Sequence, residues 1–474
     1  MIEMRNNSHF KESKIGTLKS NVHGFVDLFA LSTSSVAPAF SIAASYGVIA
    51  MYLGFHSISA IILVFPVWLA SSFIFRKFNR LYPNAGASYH WGNIAVSKVY
   101  GSGQSWIITL AYLLSIPPIV IPAGEYTGDL LYSIGAIPQT ALSNPVEIFS
   151  LGTFWVFVTL VASLLGARPT AKLTELFLAV EVSVIAMFVV IAVMSLHDSV
   201  VNRPSISWFI PPIASRNEYV NLLSSLPIIA TVLDGWEIDS YASEESVNRE
   251  RWPGTTGVIG LVLVFTIYVV TMTLMQSEVP IKVLSSSVDP LYAWGMFVAP
   301  KYAIVMDLAV IASTASSLWL TTYILSRAWY AMSREGLLPS YLGYLSKTRL
   351  VPYVGLILIS ALAELVNFLM IFSRSIEGFF SVLLSFSGVF LMAEFSMDSL
   401  TGIVLFLRNK DLEFRKLYLI VSVLTFVSFT AMICSWVYSE LRYSAIFISL
   451  VMPALVIAML ERMKDRGKSS VQNA

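Results

Sequence analysis

The residues with the clearest chemical potential lie inside a long apolar segment, where a membrane-spanning helix should be uninterrupted. Residues 22–52 form a run long enough to cross a bilayer, yet four hydroxyl residues, 32–35, crowd together and Pro38 follows them. Proline removes a backbone donor and disfavours helical backbone at the preceding residue, here Ala37. Because unsatisfied backbone groups are costly in hydrocarbon, such a break is tolerated where it is buried in protein or lines a polar cavity. The alternative is a simple proline kink.

A second apolar segment, residues 219–245, is interrupted by acidic residues. Its middle contains Gly235 and three carboxylates, Asp234, Glu237 and Asp239. Each charge near the bilayer centre costs about 2.5–3.5 kcal/mol on insertion scales, so a helix facing lipid would not carry three. A shift of the segment would move its acidic end into a loop, but it would leave Asp234 inside the span. The pattern therefore predicts a second broken helix.

Three further carboxyl groups fall inside apolar segments. Glu181 lies about ten residues beyond Ala171, which places it about 15 Å deep, near the middle of a hydrocarbon core of roughly 30 Å. A charged carboxyl is expensive there, so Glu181 is either a proton carrier or a protonated structural residue bonded to a neighbouring helix. Glu394 and Asp398 are spaced i and i+4 and share one helix face. They form a proton relay, or they are hydrated near a helix end.

The composition predicts a protein embedded in the lipid bilayer. The 474 residues are 56% hydrophobic and only 12% charged, about half the charged fraction of a soluble protein. The net charge of +1 argues against nucleic acid as a partner, and the single cysteine, Cys434, argues against a disulfide framework. The five histidines show no metal-ligand spacing. Without a nucleophile–base pair, a metal cluster or a phosphate-binding loop, we expect no cofactor, no metal and no enzymatic activity.

Twelve apolar segments are long enough to span a membrane. They cover residues 22–52, 57–75, 101–132, 151–167, 171–196, 219–245, 254–276, 302–332, 352–373, 376–407, 416–439 and 442–462. If the N-terminus is cytoplasmic, only six of the 30 lysines and arginines fall outside: Arg203, Arg216, Lys282, Lys301, Arg374 and Arg442. Positive residues favour the cytoplasmic side. The sequence therefore predicts a multi-pass protein of the cytoplasmic membrane with both termini in the cytoplasm.

The two interrupted segments are the first and the sixth, so they enter the membrane from opposite sides. This spacing is typical of an inverted repeat of five spans with a substrate site between paired broken helices. We expect an all-α polytopic membrane protein with twelve transmembrane helices, in which helices 1 and 6 are broken. The predicted parts are a cytoplasmic segment (1–21), two repeats (22–200 and 201–410), two additional helices (411–462) and a cytoplasmic tail (463–474).

Three motifs carry a resemblance to a known family. They are RLYPNAGASYHW at 80–91, DGWEIDSYASEES at 234–246 and SRAWYAMSREGLLP at 326–339. They are similar, in order, to a Pro-x-x-Gly-Gly/Ala-x-Tyr turn, a Gly-Phe-Glu/Asp…Glu-Glu run and an Arg…Ala-x-x-Arg-Asp-Gly-x-x-Pro signature. Over about residues 22–410 the chain thus resembles the amino acid–polyamine–organocation superfamily, whose members share the LeuT-like fold. It departs from many members in carrying Ser-Ser-Val-Ala-Pro at the first break.

The resemblance implies that the head group of an amino acid or related amine binds between the two breaks. Amide groups at the start of the outer half-helix suit a carboxylate, and the carbonyl ends of the half-helices suit an ammonium group. The candidate substrate-binding residues are Ser34, Ser35, Val36, Ala37, Pro38, Ala39, Leu233, Asp234, Gly235 and Trp236. Asp234 either pairs with a basic substrate or bonds the freed backbone. Trp236 either gates the site as an aromatic lid, or caps an ammonium group by a cation–π contact, or is an interfacial or packing tryptophan.

The resemblance also implies coupling residues. Hydroxyl groups on segment eight of this fold face the first break, which makes Ser313, Ser316 and Ser317 candidates, although interhelical hydrogen bonding is an alternative. Glu181 aligns with a position where some proton-coupled relatives resemble one another in carrying a lysine. Protonated, it is expected to donate to the carbonyls of the inner half-helix. Ionised, it would attract a cation, so sodium coupling stays open beside proton coupling.

The function expected from the sequence is secondary active import of an amino acid or related amine. The partners are then the small-molecule substrate, a coupling proton or sodium ion and the lipid bilayer. Two alternatives remain, an exchanger of amines or polyamines and a membrane sensor of the same fold without net transport.

Overall fold

The computed structural model describes residues 15–472, with side chains described except at 196–199 and 464–472. The first fourteen residues of the expected N-terminal segment and most side chains of the expected tail therefore lie outside the described residues. Within the described range, the chain folds into eighteen α-helices joined by short 3₁₀ turns and loops.

The helices follow one another closely along the chain. The first eight are α1 (Phe25–Val36), α2 (Pro38–Leu53), α3 (Ser57–Leu81), α4 (Ala87–Ala95), α5 (Lys98–Ser115), α6 (Pro117–Ser133), α7 (Pro145–Leu164) and α8 (Ala167–Ser199). The others are α9 (Arg216–Val232), α10 (Ile238–Tyr241), α11 (Thr255–Glu278), α12 (Ile281–Ser286), α13 (Pro290–Val298), α14 (Ala303–Arg334), α15 (Tyr353–Phe368), α16 (Ile376–Arg408), α17 (Arg415–Ser439) and α18 (Leu441–Gln472).

Ten helical stretches in the described part of the chain are long and apolar enough to cross a membrane. One of them runs from α1 through α3, and another joins α5 and α6. Every predicted apolar segment coincides with one helix or one pair of helices, the segment at 219–245 being α9 followed by α10. The protein is thus an all-helical, multi-pass membrane protein.

The first predicted interruption is present. α1 ends at Val36 and α2 begins at Pro38, and Ala37 between them adopts left-handed backbone with φ 54° and ψ 68°. This conformation costs an alanine about 1–2 kcal/mol. Proline is well suited to the first position of a helix, because the N–H that it lacks would have no partner within the helix. The local sequence therefore ends one helix and starts the next within a single residue.

The second predicted interruption lies against the first. α9 ends at Val232, α10 begins at Ile238, and Gly235 between them has φ 104°. A Cβ atom placed on Gly235 would lie 2.7 Å from the carbonyl carbon and oxygen of Ser35. The two helices therefore break at the same place in the fold, with their backbones in direct contact.

Two faces of the helical bundle can be told apart by the contacts between helix ends. Near the end of α2, Asn221 at the start of α9 donates to Tyr52 O at 3.1 Å, and Gln276 at the end of α11 donates to Phe55 O at 3.3 Å. Near the start of α1, Val22 N donates to Glu245 O at 2.7 Å. We call the face where α1 begins the inner face and the face where α2 ends the outer face.

The inner face is closed by a buried ion pair between two of the sequence motifs. Glu245 accepts hydrogen bonds from Arg327 Nε at 3.0 Å and Nη2 at 3.2 Å, and from the hydroxyl of Tyr323. Glu245 and Arg327 are each only 1% exposed. Beside them, Glu244 pairs with Arg334 at 2.6 Å on a more exposed site. These pairs hold α14 against the chain that follows α10.

We predict that Arg327→Met destabilises the protein strongly, because it leaves the Glu245 carboxylate buried without a counter-charge. The expected loss of stability is about 3–5 kcal/mol, as for other broken buried pairs. Thermal unfolding of the purified protein in detergent would measure it. The matched control is Arg334→Met at the more exposed pair, which should lower the unfolding temperature less. Equal shifts of the unfolding temperature in both variants would contradict the conclusion that the buried pair contributes more to stability than the exposed pair.

We also predict that Gly235→Ala damages folding more than a positive φ alone explains. The added Cβ would overlap the backbone of Ser35, which cannot move away without shifting α1. Gly336→Ala is the control, because Gly336 also has positive φ, +82°, but its Cβ would meet nothing within 4 Å. The measurement is the monodisperse yield and unfolding temperature of each variant. If both variants lose the same stability, the close contact between Gly235 and Ser35 does not add to the cost of the positive φ, and the prediction is wrong.

Candidate functional site

A small internal cavity lies where the two broken helices meet, and we call it the central cavity. It has a volume of about 40 Å³, which is room for a few water molecules and too little for an amino acid. Helices α2, α5, α6, α14 and α16 complete the wall around the two breaks. A substrate can occupy this place only after the surrounding helices move apart.

The wall of the central cavity combines one carboxylate, several hydroxyls and a set of apolar side chains. Asp234 is the one charged residue among the described residues that line it, and its Oδ1 atom is buried without a hydrogen-bond partner. The hydroxyl residues are Ser35, Ser41, Ser45, Ser115, Thr231, Ser317, Thr321 and Ser387. The apolar part is Val36, Phe40, Pro118, Ile119, Ile324, Leu384 and Leu391. An ammonium group with an aliphatic body matches this lining.

The predicted site residues fall into two groups in the structure. Those that line the central cavity are Ser35, Val36, Asp234, Gly235 and Ser317. Those that pack behind it are Ser34, Ala37, Pro38, Ala39, Glu181, Leu233, Trp236, Ser313 and Ser316. Sequence reasoning missed the lining residues on α5, α6, α9 and α16 and two on α14, Thr321 and Ile324, because nothing in an apolar segment shows which side faces the breaks. On α2, the i and i+4 spacing of Ser41 and Ser45 was a usable signal.

Glu181 contacts the start of α2, and not the carbonyls of α1 as the sequence analysis expected. Its Oε1 atom accepts a hydrogen bond from Ala39 N at 2.7 Å and another from Ser313 Oγ at 2.5 Å. Ser313 Oγ in turn accepts from Phe40 N at 3.1 Å. The amides that we expected to hold a substrate carboxylate thus donate to the protein's own side chains, in the usual arrangement of an anion at a helix N-terminus.

The second carboxylate oxygen of Glu181 has a different environment. Its Oε2 atom is buried and has no hydrogen-bond partner. A proton on Oε2 would leave both hydrogen bonds to Oε1 in place. Glu181 can therefore change its charge and keep the same hydrogen-bond partners. The hydrogen bond from Ala39 N would be stronger when Glu181 is ionised than when it is protonated.

The serines of α14 lie against the first break, as the resemblance implied. Ser34 Oγ donates to Ser316 Oγ at 2.7 Å, and Ser316 Oγ lies 2.9 Å from Ser313 O. Ser317 Oγ donates to Ser35 O at 3.4 Å. These contacts tie the end of α1 to α14.

Tyr268 on α11 connects the two breaks and was not singled out from the sequence. Its hydroxyl donates to Val232 O at 2.8 Å, at the end of α9, and lies 3.4 Å from Val36 O, at the end of α1. Ser41 Oγ also donates to Val36 O, at 2.8 Å. The carbonyl ends expected to bind an ammonium group therefore already have donors. A single tyrosine in an apolar helix carries no sequence signal for this role.

Trp236 and Asp239 do not line the central cavity and instead pack against or cap neighbouring helices. The Trp236 ring is fully buried among aromatic side chains, with centroids 5.0 Å from Phe75 and 5.8 Å from Phe395, away from the central cavity. Asp239 Oδ2 accepts three hydrogen bonds of 2.7 Å, from Gly254 N, Thr256 Oγ1 and Gly257 N at the start of α11. Of the interrupting carboxylates, Asp239 thus caps a helix and Asp234 faces the cavity.

Buried carboxylates also connect the second break to α16 through tyrosine hydroxyls. Tyr112 OH lies 2.9 Å from Glu237 Oε1 and 3.4 Å from Glu394 Oε1, and Tyr241 OH donates to Glu394 Oε1 at 3.0 Å. One turn away, Asp398 accepts hydrogen bonds from two other side chains. Glu394 and Asp398 are buried, which removes the alternative that they are hydrated at a helix end.

Comparison with known proteins identifies the family of the chain. The family model described as amino acid permease matches residues 24–459. The chain is 21% identical over 289 residues to the branched-chain amino acid permease BcaP of Lactococcus lactis subsp. cremoris, covering 58% of this chain and 60% of the relative. It is 21% identical over 299 residues to BcaP of Bacillus subtilis, covering 60% and 62%.

A third relative has a different named substrate. The chain is 21% identical over 318 residues to the methylthioribose transporter of Bacillus subtilis, covering 63% of this chain and 66% of the relative. Each of these alignments spans a little less than two thirds of the relative's length. The family match is far more extensive, because it runs from the start of α1 into α18. The chain belongs to the amino acid permease family.

Proposed function

We propose that the protein is a secondary active transporter that imports an amino acid or related amine by alternating access around the central cavity. The observation that carries this proposal is the meeting of two broken helices at one buried, partly polar cavity. Broken helices with polar ends are tolerated at membrane depth where they form a binding site. Uptake of labelled substrate into proteoliposomes tests the proposal, since a sensor without net transport would bind the substrate and accumulate none.

The proposed topology has twelve spans, with repeats of five at 22–200 and 201–410 and two further helices at 411–462. Breaks in the first and sixth spans support it, because an inverted repeat places its broken helices at equivalent positions. The proposed inner face is cytoplasmic, because it carries most of the lysines and arginines, and the membrane is the cytoplasmic membrane. Both termini are then cytoplasmic.

The proposed substrate is a small aliphatic amino acid or its amine. Asp234 supplies the charge that recognises an ammonium group, and the apolar wall around Ile119, Ile324 and Leu384 suits a short aliphatic chain. Two of the relatives are named for transport of branched-chain amino acids. An exchanger of amines is the second candidate, because the amides of Ala39 and Phe40 are already engaged and a substrate without a carboxylate would not need them.

The proposed coupling makes Glu181 and the substrate carboxylate competitors for the same amides. Ionised Glu181 holds the amide of Ala39 strongly, because charge-assisted hydrogen bonds are roughly twice as strong as neutral ones. A proton on Oε2 weakens that hold and frees the start of α2 for the substrate carboxylate. Substrate and proton then bind together, and by linkage each promotes binding of the other. Sodium coupling is the second hypothesis, and a sodium gradient in the same assay distinguishes it.

We predict that Glu181→Gln uncouples transport from the proton gradient. Glutamine keeps an acceptor for Ala39 N and Ser313 Oγ but has no titrating proton, so it mimics protonated Glu181. Substrate binding should become independent of pH, and exchange should continue while uptake driven by a pH gradient is lost. The measurement is paired counterflow and gradient-driven uptake in proteoliposomes.

The comparison variant for this experiment is Glu394→Gln. Glu394 belongs to the hydrogen-bonded group in which Tyr112 and Tyr241 connect buried carboxylates. If Glu394→Gln loses gradient-driven uptake and Glu181→Gln keeps it, the proton moves through Glu394 and the groups hydrogen-bonded to Tyr112. Glu181 is then structural. If neither variant changes the response to a pH gradient, neither carboxylate is the coupling residue, and an unmodified protein that does not respond to the gradient would refute proton coupling itself.

We predict that Asp234→Asn weakens binding of every substrate with an ammonium group and weakens cationic substrates most. The change removes the one charge among the described residues that line the central cavity. A loss of about 1.5–3 kcal/mol, roughly 10- to 100-fold in affinity, is typical for a hydrogen bond to a charged group. A thermal-shift screen of amino acids and amines measures it, with Asp239→Asn as the matched variant that should lower stability without changing substrate preference. An unchanged substrate profile for Asp234→Asn would assign the residue to structure.

A further inference from the structure

A second, larger cavity opens towards the outer face and is lined by four carboxylates. It has a volume of about 580 Å³ and lies between α6, α7, the segment from α12 to α13, and α14. Glu125 and Asp129 on α6 face Asp289 before α13 and Asp307 on α14. We call this space the outer carboxylate cavity. Neither the sequence motifs nor the proposed transport cycle uses these four residues.

The carboxylates are held in the cavity wall and are poorly compensated. Asp289 Oδ1 accepts a hydrogen bond from Tyr292 N at 2.8 Å, whereas its Oδ2 atom is buried and has no partner. Asp289 is 6% exposed and Asp307 is 4% exposed, so water covers little of either. Asp289 and Asp307 repel each other, and Asp129 repels both. A buried, unpartnered carboxylate oxygen among like charges marks a place where a cation would be bound favourably.

No lysine, arginine or histidine is among the described residues that line this cavity. The remaining wall alternates apolar and hydroxyl groups, with Leu142, Ile148 and Val288 beside Tyr132 and Tyr292. Aromatic rings and aliphatic side chains can pack against methylene groups, and the rings also attract ammonium groups. The lining therefore combines negative charge at several points with apolar surface between them.

The arrangement disfavours two kinds of ligand. Within the described residues no three acidic, histidine or cysteine side chains are placed to hold one metal ion, so the cavity lacks the ligand set of a metal site built from three such side chains. An amino acid would bring its own carboxylate into a negatively charged space and be repelled. An organic cation with several separated positive charges and no carboxylate matches the lining better than either of these ligands.

We propose that the outer carboxylate cavity binds an organic polycation, an aliphatic di- or triamine, whose ammonium groups pair with Asp289, Asp307 and the α6 carboxylates. Such a ligand satisfies several carboxylates at once and places its methylene chain on the apolar wall. Binding to several carboxylates also relieves their mutual repulsion, which a small monovalent cation would do at only one position. This site is distinct from the central cavity and does not depend on which substrate is transported.

The position of the cavity places its ligand on the outer side of the transport path. A small intervening cavity of about 40 Å³ shares Glu125, Ser287 and Val288 with it. The intervening cavity runs along α2 and α6 to Ala44 and Pro122, within about one helical turn of residues that line the central cavity. A bound polycation would therefore lie between the central cavity and the outer face.

Binding should weaken in acid. Burial, opposed by the hydrogen bond from Tyr292 N and assisted by repulsion from Asp129, raises the pKa of Asp289 to about 7. The other titratable groups facing Asp289 are Tyr126, Tyr292 and Asp307. Since a cation binds the ionised carboxylate, affinity is full above this pKa and falls as the pH drops through about 7. Between about pH 8 and about pH 6 we expect a loss of about tenfold in affinity, because the ionised fraction of Asp289 falls by about that factor.

The test is calorimetric titration of the purified full chain with spermidine, using Mg²⁺ and leucine as comparison probes. We expect spermidine to bind, and the double variant Asp289→Asn/Asp307→Asn to weaken it by about tenfold or more, equivalent to about 1.4 kcal/mol. Asparagine at 289 can still cap α13, so the fold should be retained, and the single variant Asp307→Asn, which leaves that cap untouched, should show part of the loss. Glu147→Gln, at an exposed outer-face carboxylate outside the cavity, should leave binding unchanged.

The same titration on Asp234→Asn separates the two sites. Spermidine binding that survives Asp234→Asn and is lost in the double variant supports the outer carboxylate cavity, whether or not the protein transports anything in proteoliposomes. Binding that is lost in Asp234→Asn and kept in the double variant would place the polycation in the central cavity and overturn the proposal. Equal displacement of spermidine by Mg²⁺ at the same concentration, or no spermidine binding at all, would also overturn it.

Discussion

The structure depends on satisfying the backbone groups that two broken helices leave without helical partners inside an apolar bundle. An unmade hydrogen bond in such surroundings costs about 1–3 kcal/mol, so every free amide and carbonyl needs a partner. The partners come from helices distant in sequence: Glu181 on α8 and Ser313 on α14 accept from α2, and Tyr268 on α11 donates to the ends of α1 and α9. These contacts explain why α8, α11 and α14 surround the breaks and why a glycine is required where the two breaks touch.

The side-chain contacts that satisfy the two breaks also suit the transport function that we propose. The groups that hold the breaks are side chains with one or two hydrogen bonds, so a substrate that offers equivalent groups can replace them at little net cost. A carboxylate competing with Glu181 is the clearest case, because both are anions directed at one helix N-terminus. Exchange of partners at constant hydrogen-bond count would let the helices move between states of similar energy, as the proposed alternating-access cycle requires.

Charge is distributed unequally between the two ends of the molecule. At the inner face, Glu244 and Glu245 are paired with Arg334 and Arg327, and these pairs hold α14 in place. In the outer carboxylate cavity, Asp289 and its neighbours have no basic residue among the described residues of the wall. The inner end is therefore closed by internal ion pairs, whereas the outer end offers negative charge to cations that arrive from solution. In the proposed orientation, this asymmetry favours entry of positively charged groups from outside.

Local signals in the sequence were enough to locate the long apolar helices and the two breaks, but not the short helices α4, α12 and α13. Pro38 after a run of hydroxyl residues and Gly235 beside Asp234 act on their own backbone, and apolar length determines which segments can cross a bilayer. The tertiary structure decided which polar groups meet. Sequence places Glu181 at a depth along its helix, but the direction in which it points depends on how α8 packs against α2 and α14. For that reason its contact with the amide of Ala39, the role of Tyr268 and the different environments of Asp234 and Asp239 became visible only in the folded molecule.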